Sequence, residues 1–198
     1  MKHLKQKSTN SVGRPTSEQV EKELERLNYR KRWSTAVKSS IYALITVAAA
    51  AVLAATLWLP VLQIYGNSMN PTLKNGEILC SLKTADFKTG DIVAFYYNNK
   101  ILVKRVIACA GDFVNIDEAG TVYVNDVPLD EPYLNEKALG DTNIELPFEV
   151  PEERIFVMGD NRATSVDSRN TAVGCVSEEQ IVGKIIFRVW PLKRMGNP

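Results

Sequence analysis

Histidine is nearly absent: His3 is the only one in 198 residues. That shortage removes most imidazole chemistry, including a Ser-His-Asp triad in the body of the chain. Cys80, Cys109 and Cys175 are too few for a disulfide scaffold and too isolated for a zinc site. No glycine-rich phosphate loop occurs, since Gly159-Asp160-Asn161-Arg162 lacks the repeated glycines and the following lysine. A net charge of only +1 gives no support to nucleic-acid binding. Charge is also missing locally, with no charged residue between Lys38 and Lys74.

What is present is unevenly spread. Residues 1–38 hold ten of the 24 Lys+Arg and four of the 23 Asp+Glu, so they carry +6 and the remainder −5. The layout is a basic arm, an uncharged stretch and a mildly acidic domain. With 45% apolar residues the chain has the composition of a folded protein, and its length suits one domain with an appendage.

The uncharged stretch Ile41–Leu62 has only the Tyr42 hydroxyl, Thr46 and Thr56 as polar side chains. Its length matches a helix that crosses a hydrocarbon core of about 30 Å. Tyr42 and Trp58 stand near its two ends, where amphipathic rings favour the interface, and Pro60 cannot continue a regular helix. Arg30, Lys31, Arg32 and Lys38 precede it, so the positive-inside rule keeps the N-terminus cytoplasmic and exports the chain beyond the span. A cleaved secretory signal competes, but its apolar core is shorter, at about 7–15 residues. A buried core helix also competes, but this run is apolar on every face. The expected organisation is a cytoplasmic arm over 1–38, a transmembrane anchor over 39–62 and an exported domain over 63–198.

The arm starts with turn-forming residues. From Glu18 to Arg32 it carries Val20, Leu24 and Leu27 at helical spacing, with Ser17 as a candidate cap. That helix reads either as a solvated topogenic tail or as an interfacial helix drawn to anionic lipid.

The exported part reads as short strands bounded by turns: Glu77–Leu82, Asp91–Tyr97, Ile101–Ala108, Asp112–Ile116, Thr121–Val124, Arg154–Met158 and Gly183–Pro191. Asn98-Asn99 and Asp117–Gly120 mark turns, and Ser177–Ile181 carries a helix signal. Seven short strands predict a compact, mostly β domain, a barrel or a sandwich, preceded by a single transmembrane helix.

With imidazole excluded, three options remain for chemistry: a carboxylate pair, a serine with a lysine base, or none. Gly66-Asn67-Ser68-Met69-Asn70-Pro71-Thr72-Leu73 puts a serine in a glycine- and proline-bounded turn, where backbone N–H groups can face an oxyanion. Ser68 read alone is equally a simple turn hydroxyl. Strand alternation sets Lys104 on one face with Leu102, Val106 and Ala108. An apolar setting disfavours an ammonium ion. A lysine base near neutral pH must titrate roughly three pH units below its usual value of about 10.4, which demands about 4 kcal/mol of environment. Lys104 read alone is equally a snorkelling lysine or the partner of an acidic residue. The segment Met158–Arg169 is dense in short polar side chains with two arginines, and reads as a bonded surface loop or as the frame of a site.

Together these segments resemble bacterial type I signal peptidases, the membrane-bound serine proteases that remove secretory signal peptides. The resemblance runs through Gly66–Leu73, Gly90-Asp91-Ile92-Val93, Val103-Lys104-Arg105-Val106-Ile107 with Gly111-Asp112, and Gly159–Arg162 through Ser165, Asp167 and Arg169. These stand in the family's order over about 150 residues, and the single span is similar to the compact form common in Gram-positive bacteria. The resemblance implies Ser68 as nucleophile, Lys104 as general base and the Ser68 N–H as an oxyanion donor. It implies that Ser165 orients the lysine amine, with Asp160, Asp167 and Arg169 in support. It implies a largely β catalytic core at the membrane surface, with no metal or organic cofactor. The implied partners are exported preproteins cut at Ala-x-Ala sites and the lipid bilayer, with a monomeric enzyme and no nucleic acid. Two departures stand out. Gly66 replaces a serine that donates to the oxyanion in some members, and Ala108-Cys109-Ala110 replaces a usual glycine and proline. Cys109 reads as a small apolar filler.

Self-cleaving repressors of the DNA-damage response share Ser-Lys chemistry, but residues 1–38 are too short and irregular for a helix-turn-helix. A membrane-anchored β domain that binds peptides without cutting them is the alternative from another class.

Overall fold

The computed structural model describes residues 16–84 and 86–198. His3 and the turn-forming start of the arm lie outside the described residues. The chain divides into two compact units, residues 1–53 and 54–198.

Arm and apolar run form one uninterrupted helix, α1, Ser17–Trp58. Its 42 residues correspond to about 63 Å, twice a bilayer core. The cap differs from the expected Ser17: the Thr16 carbonyl accepts the Gln19 and Val20 N–H groups, and the Gln19 side chain accepts the Thr16 N–H at 3.1 Å. Threonine one residue earlier takes the role because its own backbone closes the first turn. Inside the apolar run the Thr46 hydroxyl donates to the Tyr42 carbonyl at 2.8 Å, which satisfies a polar group on a helix with no other partner for it. The helix stops just before Pro60.

The expected anchor boundary at residue 62 moves. Val61–Gln63 is β1, an edge strand paired with β2 (Ile78–Leu82), and the Pro60 carbonyl accepts both the N–H and the hydroxyl of Ser81. The apolar character of Val61 and Leu62 fits a strand as well as a span, and pairing partners far along the chain decide between them.

The remaining strands are β3 (Ile92–Tyr97), β4 (Lys100–Ala108), β5 (Phe113–Ile116), β6 (Val122–Val124), β7 (Val127–Pro128), β8 (Phe148–Glu149), β9 (Arg154–Met158), β10 (Val176–Ser177) and β11 (Ile181–Trp190). They build two antiparallel sheets. One runs β1-β2-β11-β3-β4-β9-β10 and the other β7-β6-β5-β8. The large sheet is open at β1 and β10, so the domain is sandwich-like and not a closed barrel. All seven expected strands are present. The four additional ones, β1, β7, β8 and β10, have two or three residues, too few for a period to register. Asn98-Asn99 turns β3 into β4, while Asn125 and Asp126, both at positive φ, turn β6 into β7.

Three apolar clusters hold the unit together. Ile107, Ala108, Phe156 and Met158 of the large sheet meet Val114, Ile116 and Val122 of the small one. Alternation along β3 feeds the other two: Ile92 and Ala94 face Leu79, Ile185, Met69 and Leu73, and Val93 and Phe95 face Val106, Val157 and Val176.

Candidate active site

Ser68 sits in the loop after β1. Gly66 takes φ +93°, a conformation glycine reaches without strain, and its N–H donates to Asn75 Oδ1 at 3.1 Å. Met69 and Leu73 plug the loop into the core, and the Leu73 N–H closes onto the Met69 carbonyl at 2.8 Å. Ser68 is half-buried between these anchors. Its carbonyl accepts the Asn161 N–H at 2.9 Å, and its own N–H has no acceptor among the described residues. The far end of the loop is held by arginines. The Thr72 carbonyl accepts from Arg188 Nη2 at 3.0 Å and Arg194 Nη2 at 3.1 Å, and both arginines converge on buried Glu77, at 3.2 Å and 2.5 Å.

Lys104 lies opposite Val93 in the β3–β4 pair and is 3% exposed. No carboxylate lies within ion-pair distance of its amine among the described residues. Desolvation pushes its pKa down from 10.5 to about 8, opposed by Asp167 and Asp160 and reinforced by Arg169. The snorkelling and ion-paired readings both fail on this burial. Leu102 and Val106 share the Val93 side of the sheet, as expected. Ala108 does not, because the β4–β9 register shifts between Val106 and Ala108 and turns Ala108 into the inter-sheet cluster.

The segment after β9 frames both groups. A Cβ on Gly159 would stand 2.3 Å from Ser165 Oγ and 2.5 Å from the Ser68 carbonyl oxygen, so only glycine lets the two serine segments close on each other. Asp167 accepts the Gly159 N–H at 2.9 Å and pairs with Arg169 through contacts of 2.8 and 2.9 Å. Arg169 also donates to the Leu139 and Arg162 carbonyls. Asp160 is gripped by Arg105 at 2.9 and 2.7 Å, and that guanidinium lies 3.9 Å over the Tyr133 ring. Arg162 pairs with buried Glu131. Ser165 is 1% exposed and its hydroxyl has no hydrogen-bond partner among the described residues.

Fold and loops therefore gather Ser68, Ser165, Asp160, Asp167 and Arg169, with Lys104 in the field of the last three. Sequence reading named Arg169 and took Met158–Arg169 as a possible frame, but it did not single out Arg105, Arg188 or Arg194 or the partners Glu77 and Glu131. Arg105 and Arg162 stand inside recognisable motifs, but nothing local in the sequence points to Glu77, Glu131, Arg188 or Arg194. Burial pushes the Cys109 thiol up, which fits an apolar filler. Among the described residues no His, Cys, Asp and Glu converge to hold a metal ion.

A cavity of about 840 Å³ opens beside Ser68, lined by Leu62, Ile64, Gly66, Met69 and Val103 among others. Two free strand edges flank it. β1 pairs on one side only, and β4 pairs with β9 only from Arg105 onward, which leaves the Lys100–Lys104 edge open.

The family model described as signal peptidase, peptidase S26, matches residues 37–190. Signal peptidase IB of Staphylococcus aureus is 39% identical over 155 residues, covering 68% of this chain and 79% of the relative. Signal peptidase I of Bacillus licheniformis is 37% identical over 183 residues, covering 82% and 95%. The crystal structure of a signal peptidase I from Enterococcus faecalis is 30% identical and covers 50% of this chain and 96% of that one, with a TM-score of 0.41. On the family match and these relatives, the chain belongs to the signal peptidases of the peptidase S26 family, serine hydrolases of peptide bonds that remove signal peptides.

Proposed function

We propose that Ser68 and Lys104 form the catalytic dyad of a membrane-anchored signal peptidase that cuts exported preproteins after Ala-x-Ala. The observation that carries this reading is the burial of the Lys104 amine with no paired carboxylate among the described residues, a setting whose desolvation pushes its pKa down to about 8. A neutral amine accepts the Ser68 Oγ proton as Oγ attacks the scissile carbonyl. The unpaired Ser68 N–H faces the developing oxyanion, which fits a site where Gly66 supplies no hydroxyl. Lys104 then protonates the leaving amine as the C–N bond breaks. In the second half it takes a proton from water as the water oxygen attacks the acyl carbonyl, and returns that proton to Ser68 Oγ as the ester C–O bond breaks and the acid leaves. The unpartnered Ser165 hydroxyl supports its role of orienting the amine; Asp167 and Arg169 hold the segment that carries it. No step needs a metal or an organic cofactor.

The free edges of β1 and β4 suit an extended substrate that adds backbone hydrogen bonds on either side of the cavity. Its apolar lining favours small apolar side chains before the cut. The apolar stretch of α1, fully exposed and preceded by Arg30, Lys31, Arg32 and Lys38, supports an anchor with a cytoplasmic N-terminus and the catalytic unit on the outer face. Such anchoring raises the effective concentration of a membrane-tethered substrate. A monomer suffices for every step. Family membership sets aside the self-cleaving repressor and the non-cutting peptide binder.

The test is cleavage of a model preprotein with an Ala-x-Ala site by detergent-solubilised wild type, Ser68→Ala and Lys104→Ala, with circular dichroism on all three. Cleavage by wild type alone, with all three folded, is expected. Near-full activity in folded Lys104→Ala overturns the base assignment.

A further inference from the structure

The 66–73 loop borders two cavities, and only the first serves the acyl side of the proposed dyad. A second cavity, of about 210 Å³, is lined by Asn70, Asn135, Glu136, Asn161 and Ala163, with Asp160 and Arg162 in its wall. Asn70 is two residues beyond Ser68, and Asn161 is the residue whose N–H holds the Ser68 carbonyl. We propose that this cavity receives the first residues of the mature protein, on the leaving side of the cut, and favours basic or hydrogen-bonding side chains over acidic ones.

The proposal rests on Ser68 as the nucleophile. If the acyl half of the substrate occupies the larger cavity, the leaving half must pass Ser68, and the smaller cavity borders the same loop. The two linings differ in kind. Leu62, Ile64, Met69 and Val103 make the first apolar, whereas three carboxamides and a carboxylate make the second polar. The charges in its wall are mostly spent: Asp160 is held by Arg105, and Arg162 by Glu131. Glu136 is exposed and in no ion pair among the described residues, so its charge is the one left for a ligand. Asn70, Asn135 and Asn161 supply donors and acceptors for uncharged polar side chains. An exposed carboxylate acting on a nearby charge changes binding about threefold to fivefold, and less at high salt.

The experiment uses the detergent-solubilised full chain and a series of preproteins with one Ala-x-Ala site. Lysine, glutamine or glutamate stands at the second and third positions after the cut. The readout is the ratio of kcat/KM for lysine over glutamate within each enzyme, which is independent of absolute activity. Wild type is expected to give a ratio of about three or more, reduced by salt. Glu136→Lys is expected to bring it below one. Glu179→Lys makes the same charge change on the exposed turn before β11, beside the end of β9 remote from Asp160, and is expected to keep the wild-type ratio. A wild-type ratio near one, an unchanged ratio in Glu136→Lys, or equal inversion in Glu179→Lys overturns the proposal. Full cleavage by Ser68→Ala overturns the nucleophile assignment instead, and the leaving-side assignment with it.

Discussion

Two polar neighbourhoods lie within a few residues of each other and are built on opposite terms. In the frame around residues 159–169, buried charges are matched: Arg105 with Asp160, Arg162 with Glu131, and Arg169 with Asp167. In the centre, among the described residues, the polar groups are left without such partners: the Lys104 amine without a carboxylate, the Ser165 hydroxyl without a hydrogen bond, the Ser68 N–H without an acceptor. Burial is nearly complete for the frame, Lys104 and Ser165, while Ser68 is half-buried. A matched buried pair sets geometry at little net cost, whereas an unmatched buried group is held in a state ready to react. The difference teaches where stability and activity should separate under mutation.

The sharpest separation is expected at Lys104. On the proposed role of Lys104 as general base, Lys104→Met should lower kcat/KM by about 10²–10⁴-fold. It should leave the domain folded and more stable at pH 7 by up to about 3 kcal/mol, because the strain of burying an ammonium ion is removed. In the wild type the pKa of the folded state lies below that of the unfolded state. At this site the unfolded chain therefore binds more protons between pH 8 and about 10.4, and the wild type should gain stability relative to Lys104→Met as pH rises across that window, while the raised Cys109, Cys175 and Tyr133 pull both proteins alike the other way. Activity should follow the neutral amine, rising about tenfold from pH 7 to 9 around the pKa of about 8. Denaturant titrations and pH–rate profiles of both proteins check this; a variant that loses activity and stability together would break the comparison.

Asp167→Asn tests the opposite side. It leaves the Arg169 guanidinium buried without its charge partner, and a loss of about 3–5 kcal/mol is expected in chemical unfolding. A loss below about 1 kcal/mol would mean that the matched frame does not hold the fold.

Gly159→Ala probes the seam between the two neighbourhoods. The added methyl meets Ser165 Oγ and the Ser68 carbonyl well inside contact distance. Displacement of the serines should cost about 10²-fold in kcat with a stability loss of about 1–3 kcal/mol. Single-turnover kinetics on a model preprotein separates the two effects.

The smallest effect is expected at the far end of the loop that carries Ser68. Arg194→Ala removes one of the two donors on the Thr72 carbonyl and one of the two partners of Glu77, and leaves Arg188 on both. The hydrogen bond lost at Thr72, which ties this residue to the loop, should lower kcat roughly fivefold with KM little changed. An unchanged kcat would assign Arg194 to the packing of the C-terminal turn alone.

Much of this molecule was legible in the sequence, for reasons that differ by region. An uncharged run bounded by basic residues on one side and Pro60 on the other needs no partner to be read as a helix, because helical hydrogen bonds are local. The longer strands were legible through their two-residue alternation and their turn residues, and the serine and lysine motifs through their order along the chain. What only the tertiary structure decided is non-local. β11 inserts between β2 and β3, Val61 and Leu62 join a sheet instead of prolonging a helix, and Ala108 leaves the face of Lys104 at a register shift. The matching of Glu77 to Arg188 and Arg194, more than a hundred residues away, has no local signature. That no carboxylate pairs with the Lys104 amine among the described residues is decided in the same way, by the packing of distant segments.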